Sequence, residues 1–91
     1  MAQDIYKLIE HGFITGKTTL TFNVGDFKNG EVHGVTAYPT DGVAGVKLQV
    51  SNIRYSKKVL PPNQWVWVMS FDLTNLSGNG VVFELYIAIL D

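Results

Sequence analysis

Residues His11 to Thr19, HGFITGKTT, carry the clearest suggestion of chemistry in the chain, because Gly16-Lys17-Thr18 has the ending of a phosphate-binding loop. The final residues, LYIAILD, offer the apolar run and acid of the strand that accompanies such a loop. A phosphate loop needs G-x-x-x-x-G-K-[ST], since four intervening residues let backbone N–H groups wrap the phosphates. Here only Phe13, Ile14 and Thr15 separate Gly12 from Gly16, and His11 stands where the first Gly should be. The motif must also open a helix whose N-terminus holds the anion. Lys17 instead leads into TTLTFNV, with Leu20, Phe22 and Val24 alternating with Thr19, Thr21 and Asn23. That alternation predicts a strand. The segment reads as a glycine-containing turn feeding an antiparallel strand.

Other chemistry is thinner. The chain has no cysteine, which excludes disulfides, thiolate metal sites and cysteine nucleophiles. Glu31 and His33 share a strand face and could chelate a metal if a third ligand came from elsewhere, but two histidines without cysteine make a poor ligand supply. No nucleophile-elbow motif is present, and the eight acids show no spacing of a glycosidase pair. The reading is therefore no enzyme, no metal and no cofactor. IRYSKK, Ile53 to Lys58, gathers three of the seven basic residues. With a net charge of −1 it reads as a solvated loop and not a nucleic-acid surface. Asn75-Leu76-Ser77 has the form of a glycosylation sequon, read here as coincidence.

The aromatics carry more weight. Tyr38, Tyr55 and Trp65 are candidate sugar-stacking residues, since flat apolar rings match the C–H faces of pyranoses. Trp67 shares a strand face with Met69, Phe71 and Leu73 and is assigned to the core.

The elements that must position these residues are almost all β. Ile5, Leu8 and Ile9 have helical spacing behind Asp4, so Asp4 to Glu10 is a short helix with a strand as the competing reading. Gly25-Asp26 predicts a bulge or bend. Asn29-Gly30 predicts a hairpin pairing the strand before it with Glu31 to Tyr38. Val46, Leu48 and Val50 alternate, and the apolar phase then slips by one at Ile53 and Tyr55, which predicts a bulge near Ser51-Asn52. SKKVLPPNQ reads as a long unpaired connection because of Pro61-Pro62. Trp65 to Leu73 and Val81 to Leu90 read as strands joined in a hairpin.

The last strand, VVFELYIAIL, holds one charge in ten residues and is apolar on both faces. Such a strand is normally covered on both faces, whereas a sandwich buries only the inner face of each sheet. Charged residues make up 16% of the chain against the usual 25% or so, which leaves few to coat a small surface. Together these point to self-association. The predicted interface is Val82, Tyr86, Ala88 and Leu90, with Ile5, Leu8 and Ile9 supplying cover or joining the partner.

The expected fold is all-β: a small antiparallel β-sandwich or jelly-roll-like barrel of about six to eight strands. Residues 1–16 form an N-terminal appendage and 17–91 the sandwich domain. The expected function is that of a structural or assembly protein, such as a virion or phage head-decoration or tail-associated subunit that forms a homo-oligomer or joins a larger assembly. A carbohydrate-binding module is the alternative. No segment reads as a signal peptide or membrane span, which leaves the virion or the cytoplasm as the expected location.

Overall fold

A computed structural model of the chain describes residues 3–90. It holds six strands: β1 Gln3–Ile14, β2 Thr19–Phe27, β3 Val32–Pro39, β4 Leu48–Leu60, β5 Gln64–Asn75 and β6 Val81–Leu90. They form two three-stranded antiparallel sheets, ordered β1-β6-β3 and β2-β5-β4. The predicted all-β class holds.

The core lies where the central strands face each other. β5 contributes Met69, Phe71 and Leu73, and β6 contributes Val81, Phe83, Leu85 and Ile87, all buried. Ile14 and Phe27 close the same cluster, with Leu20, Phe22, Val35 and Val50 packed around it. Both sets are alternate residues, because side chains of a strand point to opposite faces in turn. Phe22 stacks on Phe71 with ring centroids 5.4 Å apart.

The helix expected at Asp4 to Glu10 is a strand. Seven residues are too few for a stable isolated helix. As β1, the segment instead pairs with the free edge of β6, from Gln3↔Leu90 to Ile14↔Val81, satisfying backbone groups on both strands.

Both predicted hairpins are also corrected. Asn29-Gly30 does make a turn, with Gly30 at φ 86° and Glu31 N–H reaching Lys28 C=O at 3.4 Å. It does not pair its flanking strands: β2 pairs with β5 and β3 with β6. Likewise β5 and β6 lie in different sheets. Turn chemistry is local, but the choice of strand partner is made by packing across the core. The connection expected at Ser56 to Leu60 is paired strand, up to Leu60↔Gln64. The prolines sit in the turn itself, where no ladder N–H is needed. The bulges stand: the register shifts between Val24 and Phe27, and between Ser51 and Arg54, where Asn52 takes φ 55°.

The phosphate-loop look-alike has a structural role. Gly16 lies against the turn before β6, and a Cβ there would collide with the Gly78 carbonyl group. Lys17 takes φ 55°, donates its N–H to Ser77 C=O at 2.9 Å and its Nζ to Leu76 C=O at 2.5 Å. The G-K pair therefore fastens the β1–β2 turn to the β5–β6 connection. Gly16→Ala forces backbone apart and is expected to lose about 1–3 kcal/mol. A lower urea midpoint with unchanged slope would record it.

Candidate functional site

The two sheets present very different outer faces. On the β2-β5-β4 sheet, cross-strand partners are polar and bonded to one another. Thr19 and Thr74 hydroxyls are 2.9 Å apart, Thr21 Oγ1 donates to Asp72 Oδ1 at 2.9 Å, and Ser70 Oγ donates to Asn23 Oδ1 at 2.5 Å. Asn52 Nδ2 and Arg54 add to Asp72, at 3.2 and 3.5 Å. The Thr21 and Asn52 hydrogen bonds, with Arg54 behind them, hold the Asp72 carboxyl below its ordinary pKa. This face suits water.

The outer face of the β1-β6-β3 sheet does not. β6 turns Val82, Glu84, Tyr86, Ala88 and Leu90 outward, opposite its buried residues. The register sets Ile5 and Gly34 beside Ala88, Lys7 and Thr36 beside Tyr86, Val32 beside Leu90 and Phe13 beside Val82. Ile5, Phe13, Val32 and Tyr38 are each more than half exposed. Tyr38 meets Tyr86 edge-on, with centroids 5.9 Å apart. A shallow cavity of about 270 Å³ lies between Ile5, Tyr38, Tyr86 and Ala88. The result is a largely apolar strip across three strands, interrupted near its middle by Lys7, Thr36 and Glu84.

One charged cluster is set into this strip, with Lys7 Nζ 3.2 Å from Glu84 and 3.9 Å from Glu10. Lys7 Nζ donates to Glu84 Oε2 at 3.2 Å and lies over the Tyr86 ring at 5.6 Å, while Tyr86 OH donates to Glu84 Oε1 at 3.1 Å. The Lys7 bond, then the Tyr86 bond, hold Glu84 below its ordinary 4.5, and Glu84 in turn raises Lys7 above 10.5. The charged pairing is thus complete from above 4.5 to below 10.5. It fails on acidification through the depressed Glu84 value, and on alkalinisation through the raised Lys7 value. A carboxyl-detected NMR titration of Glu84 is expected to show a depressed midpoint, and Lys7→Met is expected to return it towards the ordinary carboxylate range.

Of the residues singled out from sequence, Ile5, Val82, Tyr86, Ala88 and Leu90 come together on this face. Ile9 does not, because it pairs with Leu85 and packs against the core. Leu8 lines a separate groove with Tyr6, Val24 and Ile87, between the β1 and β2 edges. Tyr38, expected beside Tyr55 and Trp65, lies instead on the apolar strip. Sequence reasoning missed Tyr38, Val32 and Phe13 as strip members. For Tyr38 and Val32 the signal was available, since both alternate in phase with Gly34 and Thr36.

Tyr55 and Trp65 do share a face, on the β4–β5 hairpin. The hairpin runs beyond β2, whose pairing with β5 stops at Phe27↔Trp67, and it makes the molecule 49 Å long by 25 and 18 Å. Trp67, assigned to the core from sequence, does pack against the core cluster but is only partly buried, and its indole N–H donates to Asn29 Oδ1. The His33 side chain is buried beneath, its ring tilted at 35° against Phe27 with centroids 3.9 Å apart and Nδ1 3.1 Å from Tyr55 OH. Its Nε2 has no hydrogen-bond partner among the described residues and lies 3.8 Å from Glu31 Oε1. The Glu31–His33 pair thus forms, but among the described residues no third histidine or carboxylate joins it as a metal-binding group. No known family matches the sequence, and comparison with curated proteins and with solved structures finds no match.

Proposed function

We propose that this chain is a structural subunit that assembles through the outer face of its β1-β6-β3 sheet. The observation that carries the reading is the contrast between the two outer faces. One is a bonded polar ladder, and the other is an apolar strip whose Lys7–Glu84 pair is internally neutralised. Contiguous apolar surfaces of this kind mark interaction sites on small soluble domains. Residues at its centre, two tyrosines in edge contact, are of the type that anchors interfaces.

Strand order supports a narrower version. The orders 1-6-3 and 2-5-4 are those of a jelly roll with one strand fewer in each sheet, because the last strand lies between the first and third and the next-to-last between the second and fourth. Jelly rolls are common in capsid and lectin domains. By that analogy, and with the low charge of the chain in its favour, we read it as a virion or phage component, a head-decoration or tail-associated subunit. Light scattering after size exclusion tests the reading. A defined oligomer is expected, and a clean monomer at all concentrations counts against it.

A further inference from the structure

The β4–β5 hairpin carries a second surface, apart from the apolar strip. Two cavities, of about 300 and 380 Å³, flank the Lys28-Asn29 turn and share both residues. The first is walled by Trp67, Tyr55 and His33, with Glu31 at its rim. The second is walled by Trp65, with the amides of Asn63 and Gln64 beside it. Trp65 and Trp67 alternate onto one face of β5, so their attachment points lie about 7 Å apart along the strand.

We propose that this groove binds a neutral linear oligosaccharide, with two neighbouring sugar rings against Trp67 and Trp65. Four features select that ligand. Indole and phenol rings offer flat apolar faces to the C–H faces of pyranoses. The volumes are at the small end for ligand sites, which suits one ring in each. Charges of both signs stand about the groove, Lys28 and Lys57 against Glu31, without the cluster of one sign that an ionic ligand would need. The three amides and Tyr55 OH can each donate and accept, as hydroxyl-rich ligands require.

The groove is also held in shape before any ligand arrives. Trp67 is fixed by its bond to Asn29, and Glu31 Oε1 accepts the Lys28 N–H at 2.7 Å. Tyr55 is held by His33. Lys57 Nζ covers one face of the Trp65 ring at 4.5 Å, so the sugar takes the other face or displaces the lysine. Side chains already ordered lose less entropy on binding. The open geometry limits affinity, and a Kd of about 1 mM is expected for two or three rings.

The test is an NMR titration of the ¹⁵N-labelled full chain with maltotriose, cellotriose and chitotriose, each beside its methyl monoglycoside. At least one trisaccharide is expected to shift both indole N–H signals and the Asn29, Asn63 and Gln64 amides saturably. It should bind roughly tenfold more tightly than its monoglycoside, as two occupied rings require. Trp65→Ala, at a half-exposed position, should stay folded and weaken the trisaccharide by about tenfold. No shift with any of the three at about 20 mM, roughly twenty times the expected Kd, overturns the proposal. So do shifts that survive Trp65→Ala, equal binding of tri- and monosaccharide, or shifts confined to Tyr38 and Tyr86. Because none of the groove residues lies on the outer face of the β1-β6-β3 sheet, light scattering and this titration report on separate claims.

Discussion

Tyr86→Asp is expected to weaken the proposed subunit association by roughly 30- to 1,000-fold while leaving the fold intact, on the scale of a central interface tyrosine. Tyr86 lies at the middle of the apolar strip, in edge contact with Tyr38 and beneath the Lys7 ammonium. Its hydroxyl donates a hydrogen bond to the Glu84 carboxylate. An aspartate removes the ring, removes that bond and sets a second carboxylate two residues from the first on the same face. One lysine cannot neutralise both. In a closed interface the surplus charge is desolvated without a partner, which is among the costlier changes an interface can suffer. The free subunit bears little of this, because the side chain points away from the core and the aspartate can be hydrated. Light scattering over a range of concentrations should therefore show a shift to monomer, with circular dichroism unchanged. An assembly state identical to wild type would remove the β1-β6-β3 face as the interface. Gln49→Asp, at an exposed position opposite Thr74 on the polar face of the other sheet, is the matched control and is expected to leave assembly as it was.

The legible part of this fold was the part governed by neighbours in sequence. Alternation placed Met69, Phe71, Leu73, Phe83, Leu85 and Ile87 inward, because the pleat fixes every second side chain on one face. The slip in phase at Ser51-Asn52 located a bulge, because one extra residue reverses the faces. Partner choice was not legible. Asn29-Gly30 and the 76–80 segment have hairpin chemistry, yet each crosses from one sheet to the other. Nothing local distinguishes a turn that pairs its strands from one that steps across a core. The same limit explains Tyr38. Its ring type suggested company with Tyr55 and Trp65, but β3 joined β6, which carried it to the opposite sheet. Trp67 shows a different limit. Its phase was read correctly, but the hairpin outruns the facing sheet, so an inward side chain is left half open.

Asn75 is where sequence and structure differ most in meaning, and Asn75→Asp is expected to be the most destabilising of these substitutions. As the first residue of Asn75-Leu76-Ser77 it has the form of a surface acceptor, yet it is fully buried at the end of β5. Its Nδ2 donates to the carbonyls of Ile14, Thr15 and Asn79, at 3.3, 3.3 and 2.8 Å. Its Oδ1 accepts from Ser77 N–H at 3.0 Å and Ser77 Oγ at 2.6 Å. One side chain thus ties the end of β1 to the connection that leads into β6, beside the Gly16-Lys17 turn. Aspartate has the same shape and keeps the acceptor, but an ionised carboxylate has no proton to give. It would aim an oxygen at three carbonyl oxygens in a buried site. A buried charge left unpaired costs about 3–5 kcal/mol, a large share of the roughly 5–15 kcal/mol that holds a small domain together. The variant's carboxyl should consequently have a raised pKa in the folded state. Stability lost at neutral pH is then regained as pH falls through that raised value, because the protonated acid restores one donor. Urea unfolding of Asn75→Asp at pH 7 and pH 5 measures both effects. The expected result is a loss relative to wild type that is large at pH 7 and smaller at pH 5, with both chains measured at each pH. An Asn75→Asp chain as stable as wild type at pH 7 would mean that the three carbonyls find water instead, and that this side chain does not organise the junction between the sheets.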